Sequence, residues 1–344
     1  MNLILIALLM FCSVVVAGQP GQSYPPPGKL IDVGGYRLHL NCSGNKGPTV
    51  VLIAGAGDFS FDWSLVQPSI AKSTRVCSYD RAGFAWSEPG PTPRTMKQEA
   101  FELHVMLKGA RERGPYVLVG HSIGGLITRV YFDQYPAEVA GVVLVDSTHE
   151  DTTLMLNNKL THMRDIAKPE PVPPVQTMKS SPPKPVTKAD LDQFEANLKA
   201  RPPRISPTFK KLPAQIQTMR LWVLSQPPRA ERRSLDYLAE ELRDLFEARA
   251  KHPQPLGNLP LVVILPKQYD PPPPDVDAEE WRRFNEAKQQ QKTDFTNLSR
   301  NSKLIFAEKS GHHVHLDQPE VVTDAVRLVV DSLRQHQTLD GKKQ

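Results

Sequence analysis

Val117-Leu118-Val119-Gly120-His121-Ser122-Ile123-Gly124-Gly125 decides the fold. Tyr116 to Val119 is an unbroken apolar run, the pattern of a strand buried on both faces of a parallel sheet. Ile123 to Tyr135 reads as a helix that stops at Pro136, whose ring cannot continue it. Between them lies Gly-x-Ser-x-Gly. A turn this sharp forces Ser122 into a strained conformation that crowds neighbouring Cβ atoms, so positions two before and two after must be tiny. Gly120 and Gly124 meet that need. The bare motif is weak; a strand before it and a helix after it make it specific.

Outward from this point, strands and helices alternate. Tyr36 to Leu40 alternates apolar and polar as a half-buried strand does. Thr49 to Ile53, Thr74 to Tyr79 and Gly141 to Val145 are further strands, with a helix from Arg94 to Ala110. Leu261 to Leu265 and Lys303 to Ala307 resume the strand pattern, separated by a polar helix near Ala278 to Leu298 and followed by a helix from Pro319 to Leu333. This alternation predicts an α/β fold, a doubly wound, mostly parallel sheet with ligand sites at the strand carboxyl ends.

The alternation breaks between Glu150 and Asn258. Seven prolines fall in the 17 residues from Pro169 to Pro185, and Leu235, Leu238, Leu242, Leu245 and Phe246 then share one helical face. The stretch carries 18 Lys+Arg against 13 Asp+Glu, a basic excess that faces either solvent or the mouth of a pocket. Because it interrupts the sheet just after a strand's carboxyl end, residues 150–258 are expected to form a helical, Pro-rich lid. Residues 18–149 and 259–344 form the core.

Met1 to Ala17 has no charged side chain, an apolar run from Leu3 to Phe11 resumed at Val14 to Val16, and small residues before Gly18. It reads as a cleaved signal peptide (1–17), too short for the ~20 residues of a membrane span. No later stretch is apolar for 18 residues, so no stable membrane insertion is expected after cleavage. The net charge of +5 is mild, and the basic residues are not interleaved with aromatics, so a nucleic-acid partner has no support. Three cysteines exclude a disulfide scaffold and a four-thiolate zinc site.

A serine becomes a nucleophile only with a base, and the base needs an orienting acid. Ser310-Gly311-His312-His313-Val314-His315 follows the last strand and supplies the candidate base, His312, with His315 supporting the loop. Clustered histidines also bind metals, but no second ligand group is visible in the sequence, so no metal and no cofactor are expected. The candidate acids are Asp146, directly after the strand Val142 to Val145, and Asp270, five residues past Leu265. The oxyanion needs backbone N–H donors. Ile123 supplies one, and Ala56, in Ala54-Gly55-Ala56-Gly57, the other.

These stretches, with Ser78-Tyr79-Asp80-Arg81-Ala82-Gly83 and Gly311 to Pro319, resemble the α/β-hydrolase superfamily, in the branch with a serine nucleophile and a cap between strands six and seven. The resemblance frames about residues 29–150 and 258–335. It implies eight strands in the order 1-2-4-3-5-6-7-8 and a Ser–acid–His triad. The chain departs from the family at Ala54-Gly55, where His-Gly is usual, and at Pro266-Lys267-Gln268-Tyr269-Asp270, where Gly-x-x-Asp is usual. The second departure leaves the acid open. The implied strand order makes Cys42 and Cys77 neighbours, and an exported chain would join them in a disulfide. The implied activity is an exported serine hydrolase that cleaves a carboxylic ester, or a related acyl bond, of a small molecule. A serine argues against relatives with an aspartate nucleophile, such as haloalkane dehalogenases and epoxide hydrolases. The alternative is a non-catalytic ligand-binding protein on the same fold.

Overall fold

The computed structural model describes residues 23–156, 159–230, 235–269, 272 and 276–342, with residues 155, 156, 159 and 160 described by backbone alone. The leader expected at 1–17 and the candidate acid Asp270 lie outside the described residues. Eight strands form one sheet: β1 (Lys29–Asp32), β2 (Arg37–Ser43), β3 (Val50–Ile53), β4 (Val76–Tyr79), β5 (Tyr116–His121), β6 (Val139–Val145), β7 (Leu261–Pro266) and β8 (Ser302–Ala307). Their order is β1-β2-β4-β3-β5-β6-β7-β8, as the resemblance implies. β2 runs antiparallel to β1 and β4, and every other pairing is parallel.

The strands read as apolar runs because both faces are covered. Side chains alternate between two cores. Leu118, Val142, Leu144 and Val263 pack beneath α1 (Met96–Gly109) and α2 (Ile123–Gln134), with Leu103, Leu107, Leu126 and Val130. Val117, Val119, Val143, Val145, Val262 and Ile264 pack on the opposite face. There they meet the carboxy-terminal helix, Pro319–Gln335, through Val322, Val326 and Val329. β2 and β4 bring Cys42 directly opposite Cys77, Cα to Cα 4.0 Å, and their sulfurs are bonded.

The chain leaves β3 toward β4 on one side and returns to β5 on the other. The carboxyl ends of β3 and β5 therefore open a crevice between connections that depart in opposite directions, where doubly wound sheets bind ligands. Ala54 to Gly57 and Ser122 sit at those ends.

The insertion between β6 and β7 differs from the helical expectation in one respect. It begins with an antiparallel hairpin, Thr153–Leu156 against Lys159–His162, whose four-residue strands are too short to show a period. After the extended proline stretch come α3 (Lys188–Ala200), α4 (Ala214–Leu224) and α5 (Leu238–Lys251). Leu235 precedes α5 rather than lying on it, yet joins the same core as Leu242. Buried charges dock these elements on the core. Glu241 of α5 accepts from the amides of Met96 (2.7 Å) and Lys97 (2.9 Å), capping α1. Arg220 of α4 pairs with Asp62 and donates to the Gly57 carbonyl (3.4 Å). Glu150 joins Arg129 of α2 (2.5 Å) to Arg249 of α5 (2.7 Å). A second excursion, between β7 and β8, carries α6 (Ala278–Thr293).

Candidate active site

Ser122 joins β5 to α2 with φ +53° and ψ −121°, a conformation outside the regions open to ordinary residues. Backbone hydrogen bonds hold it there. Its amide donates to Val145 O (3.1 Å), and its carbonyl accepts from Thr148 (3.0 Å) and Gly125 (3.1 Å). The expected need for small neighbours is visible as distances. A Cβ on Gly120 would lie 2.5 Å from Gly124 O, and one on Gly124 would lie 2.3 Å from Ile53 O. Neither the Ala56 nor the Ile123 amide has a hydrogen-bond acceptor among the described residues.

Asp146, the first residue past β6, also has a positive φ of 39°, and its amide is held by Ile264 O (2.8 Å). Its buried carboxylate is shared between two partners. Oδ2 accepts from His312 Nδ1 at 2.5 Å, and Oδ1 from Lys292 Nζ at 2.6 Å. Burial alone would push this carboxyl up. The Lys292 ammonium and the His312 imidazole outweigh it and hold the group well below the usual carboxylate range. The Nδ1 contact leaves His312 Nε2 as the free nitrogen, the arrangement of a general base oriented by a fixed anion.

Ser122, Asp146 and His312 line one cavity of about 390 Å³. No hydrogen bond joins Ser122 Oγ to His312 in this structure, a gap of the kind that closes when substrate fills a site. The insertion contributes Thr152, Thr153, Leu154 and Met163 to the walls. A further wall is α6, from outside the insertion, through Trp281, Asn285, Lys288, Gln289 and Lys292.

Behind His312 lies a cluster that the sequence reading does not assemble. His121 Nε2 donates to the His312 carbonyl (3.0 Å). The His315 ring packs on Trp63 (4.5 Å) and His121 (4.6 Å), which is the loop support expected of it. Ligand atoms of Asp58, His121 and His315 lie within 4.8 Å of one another, so among the described residues these three form a group near the site able to hold a metal ion. Burial pushes the His121 and His315 imidazoles down from the ordinary range. Burial opposes ionisation of Asp58 too, but His121 and His313 hold its carboxyl well below the ordinary range. Asp58 already faces Arg220 (3.6 Å) and His313 (3.8 Å), so it pins together the loops after β3, β5 and β8.

A family model described as the alpha/beta hydrolase family matches residues 50–325. The chain belongs to the alpha/beta hydrolase family. The AB hydrolase superfamily protein of Gibberella zeae is 25% identical over 316 residues, 84% of this chain and 88% of that protein. A 2-hydroxymuconate semialdehyde hydrolase of a Pseudomonas strain is 33% identical over 129 residues, 37% of this chain but only 45% of that protein. Among solved structures, a thermophilic esterase from Thermogutta terrifontis aligns with TM-score 0.51 at 20% identity, covering 88% of this chain and 95% of its own. The epoxide hydrolase CorEH aligns with TM-score 0.56 at 17% identity, covering 89% and 98%. At such identities the likeness shows the fold alone.

Within this alpha/beta hydrolase, Ser122, His312, Asp146, Ala56 and Ile123 come to one end of the sheet. Lys292 escapes a reading of the sequence because nothing local marks one lysine of a polar helix as the partner of an aspartate 146 residues earlier. Asp58 and His121 do carry a signal, each lying just past a strand or at its end near a glycine, but their meeting with His315 depends on the sheet order.

Proposed function

We propose that this alpha/beta hydrolase is an exported serine hydrolase that cleaves carboxylic esters through an acyl-enzyme. One observation carries the reading: Ser122, on a strained elbow, shares a cavity with His312, whose Nδ1 is held by the anionic Asp146. Ser122 Oγ attacks the ester carbonyl as its proton passes to His312 Nε2. The Ile123 and Ala56 amides, free of other acceptors among the described residues, hold the oxyanion. The tetrahedral intermediate expels the alcohol, which takes the proton from His312. Water, deprotonated by the same nitrogen, then attacks the acyl carbonyl; the second tetrahedral intermediate releases the acid as His312 returns the proton to Ser122 Oγ. The insertion 150–258 serves as the lid, bounding one side of the cavity through Thr152 to Leu154 and Met163. Export is supported by the apolar leader and by the Cys42–Cys77 bond, which persists in oxidising compartments. No described helix is long and apolar enough to cross a membrane.

The test is labelling of the purified protein with a fluorophosphonate, beside hydrolysis of short-chain esters. Ser122→Ala should abolish labelling and lower kcat by roughly 10³-fold or more while the fold persists. Hydrolysis that survives Ser122→Ala overturns the proposal.

A further inference from the structure

The charge balance of the cavity points to its substrate class. Trp281, Asn285, Lys288, Gln289 and Lys292 are spaced i, i+4, i+7, i+8 and i+11 along α6, one stripe of the helix, and that stripe faces the cavity. Two of the five are lysines. Lys292 is neutralised by Asp146, the only acidic side chain lining the cavity among the described residues. Both Asp146 oxygens are taken, one by Lys292 and the other by His312. Lys288 has no carboxylate partner among the described residues; its ammonium sits over the Phe284 ring at 5.1 Å. The amides beside it already hold hydrogen bonds. Asn285 donates to Trp281 O (2.8 Å), while Gln289 accepts from Tyr269 (2.8 Å) and donates to Pro266 O.

We propose that the cavity selects esters carrying a second, free carboxylate, which pairs with Lys288. This deepens the serine-hydrolase reading and rests on it. A cation partly withdrawn from water, with no ion-pair partner among the described residues, carries a desolvation cost that an anionic ligand group offsets. The state of the lysine fits: burial, with repulsion from Lys292, pushes the Lys288 ammonium down from its ordinary range. The sequence also places a basic excess in residues 150–258. Among the described residues, no lysine or arginine of that segment lines the cavity.

The experiment compares monomethyl adipate with methyl hexanoate, of equal acyl chain length, by acid release from the purified protein. The wild type should favour the adipate in kcat/KM. Lys288→Gln should lower the adipate-to-hexanoate ratio by roughly 10- to 100-fold, the worth of one charged hydrogen bond. Lys288→Arg should restore most of it, and salt should depress the wild-type ratio. A wild-type ratio at or below unity, or one that Lys288→Gln leaves unchanged, overturns the inference while the hydrolase reading stands. If neither ester is cleaved and a fluorophosphonate leaves Ser122 unlabelled, the hydrolase reading fails, and this inference with it.

Discussion

Lys292→Met separates the electrostatics of the Asp146 site from its packing. Methionine keeps much of the aliphatic stem and removes the ammonium that sits 2.6 Å from Asp146 Oδ1. Both side chains are mostly buried, 13% and 7% exposed, so solvent screens the pair little. Asp146 keeps His312, so the loss is one charged hydrogen bond, about 1.5–3 kcal/mol, rather than a buried ion pair abandoned outright. At about 1.36 kcal/mol per unit, the native carboxyl should rise by roughly one to two pKa units. A carboxyl depressed in the native state contributes stability that is full above its unfolded value, about 3.9, and is lost as pH falls toward the native value. The unfolded value cancels between wild type and variant, so the gap should be full near neutral pH and narrow only as pH falls through the variant's native value, which lies below about 3.9. The assay is denaturant unfolding of four proteins: wild type, Lys292→Met, Asp146→Asn and the double variant. The cycle should return a coupling of about 1.5–3 kcal/mol. If Lys292→Met costs as much in the Asp146→Asn background as in the wild type, the reasoning is refuted.

Asp146→Asn should lower kcat on the order of 10⁴-fold with the fold preserved, because asparagine favours the wrong tautomer of His312; a loss under about tenfold in a steady-state assay speaks against this acid. Removing the disulfide with Cys42→Ser and Cys77→Ser frees a loop of 35 residues, which the chain-entropy model values at about 4 kcal/mol. Denaturant midpoints should show that loss, and the denatured, unreduced mature protein should carry no free thiol. Gly124→Ala sets a Cβ 2.3 Å from the Ile53 carbonyl, so the elbow must shift. A cost of about 1–3 kcal/mol is expected with loss of fluorophosphonate labelling at Ser122, and unchanged labelling rates count against the close approach.

The elements that sequence alone determined are those whose physics is local. A parallel strand covered on both faces must be apolar throughout, so β3, β5, β6 and β7 stand out as runs. The turn at Ser122 has a steric requirement two residues to either side, which leaves Gly120 and Gly124 as its trace. His312 is legible because the loop after the last strand is short and histidine-rich. The rest belongs to register and packing. Which aspartate reaches His312 depends on β6 lying beside β7 with Val145 level with Ile264, which delivers Asp146 to the same sheet end. Cys42 meets Cys77 only because β2 and β4 align antiparallel with those two residues opposed. Lys288 and Lys292 are ordinary in a helix with so many charges. Their place at the cavity depends on how α6 packs against the rest of the fold. Binding groups gathered from distant segments share no local constraint, and only the folded chain brings their charges within reach of one another.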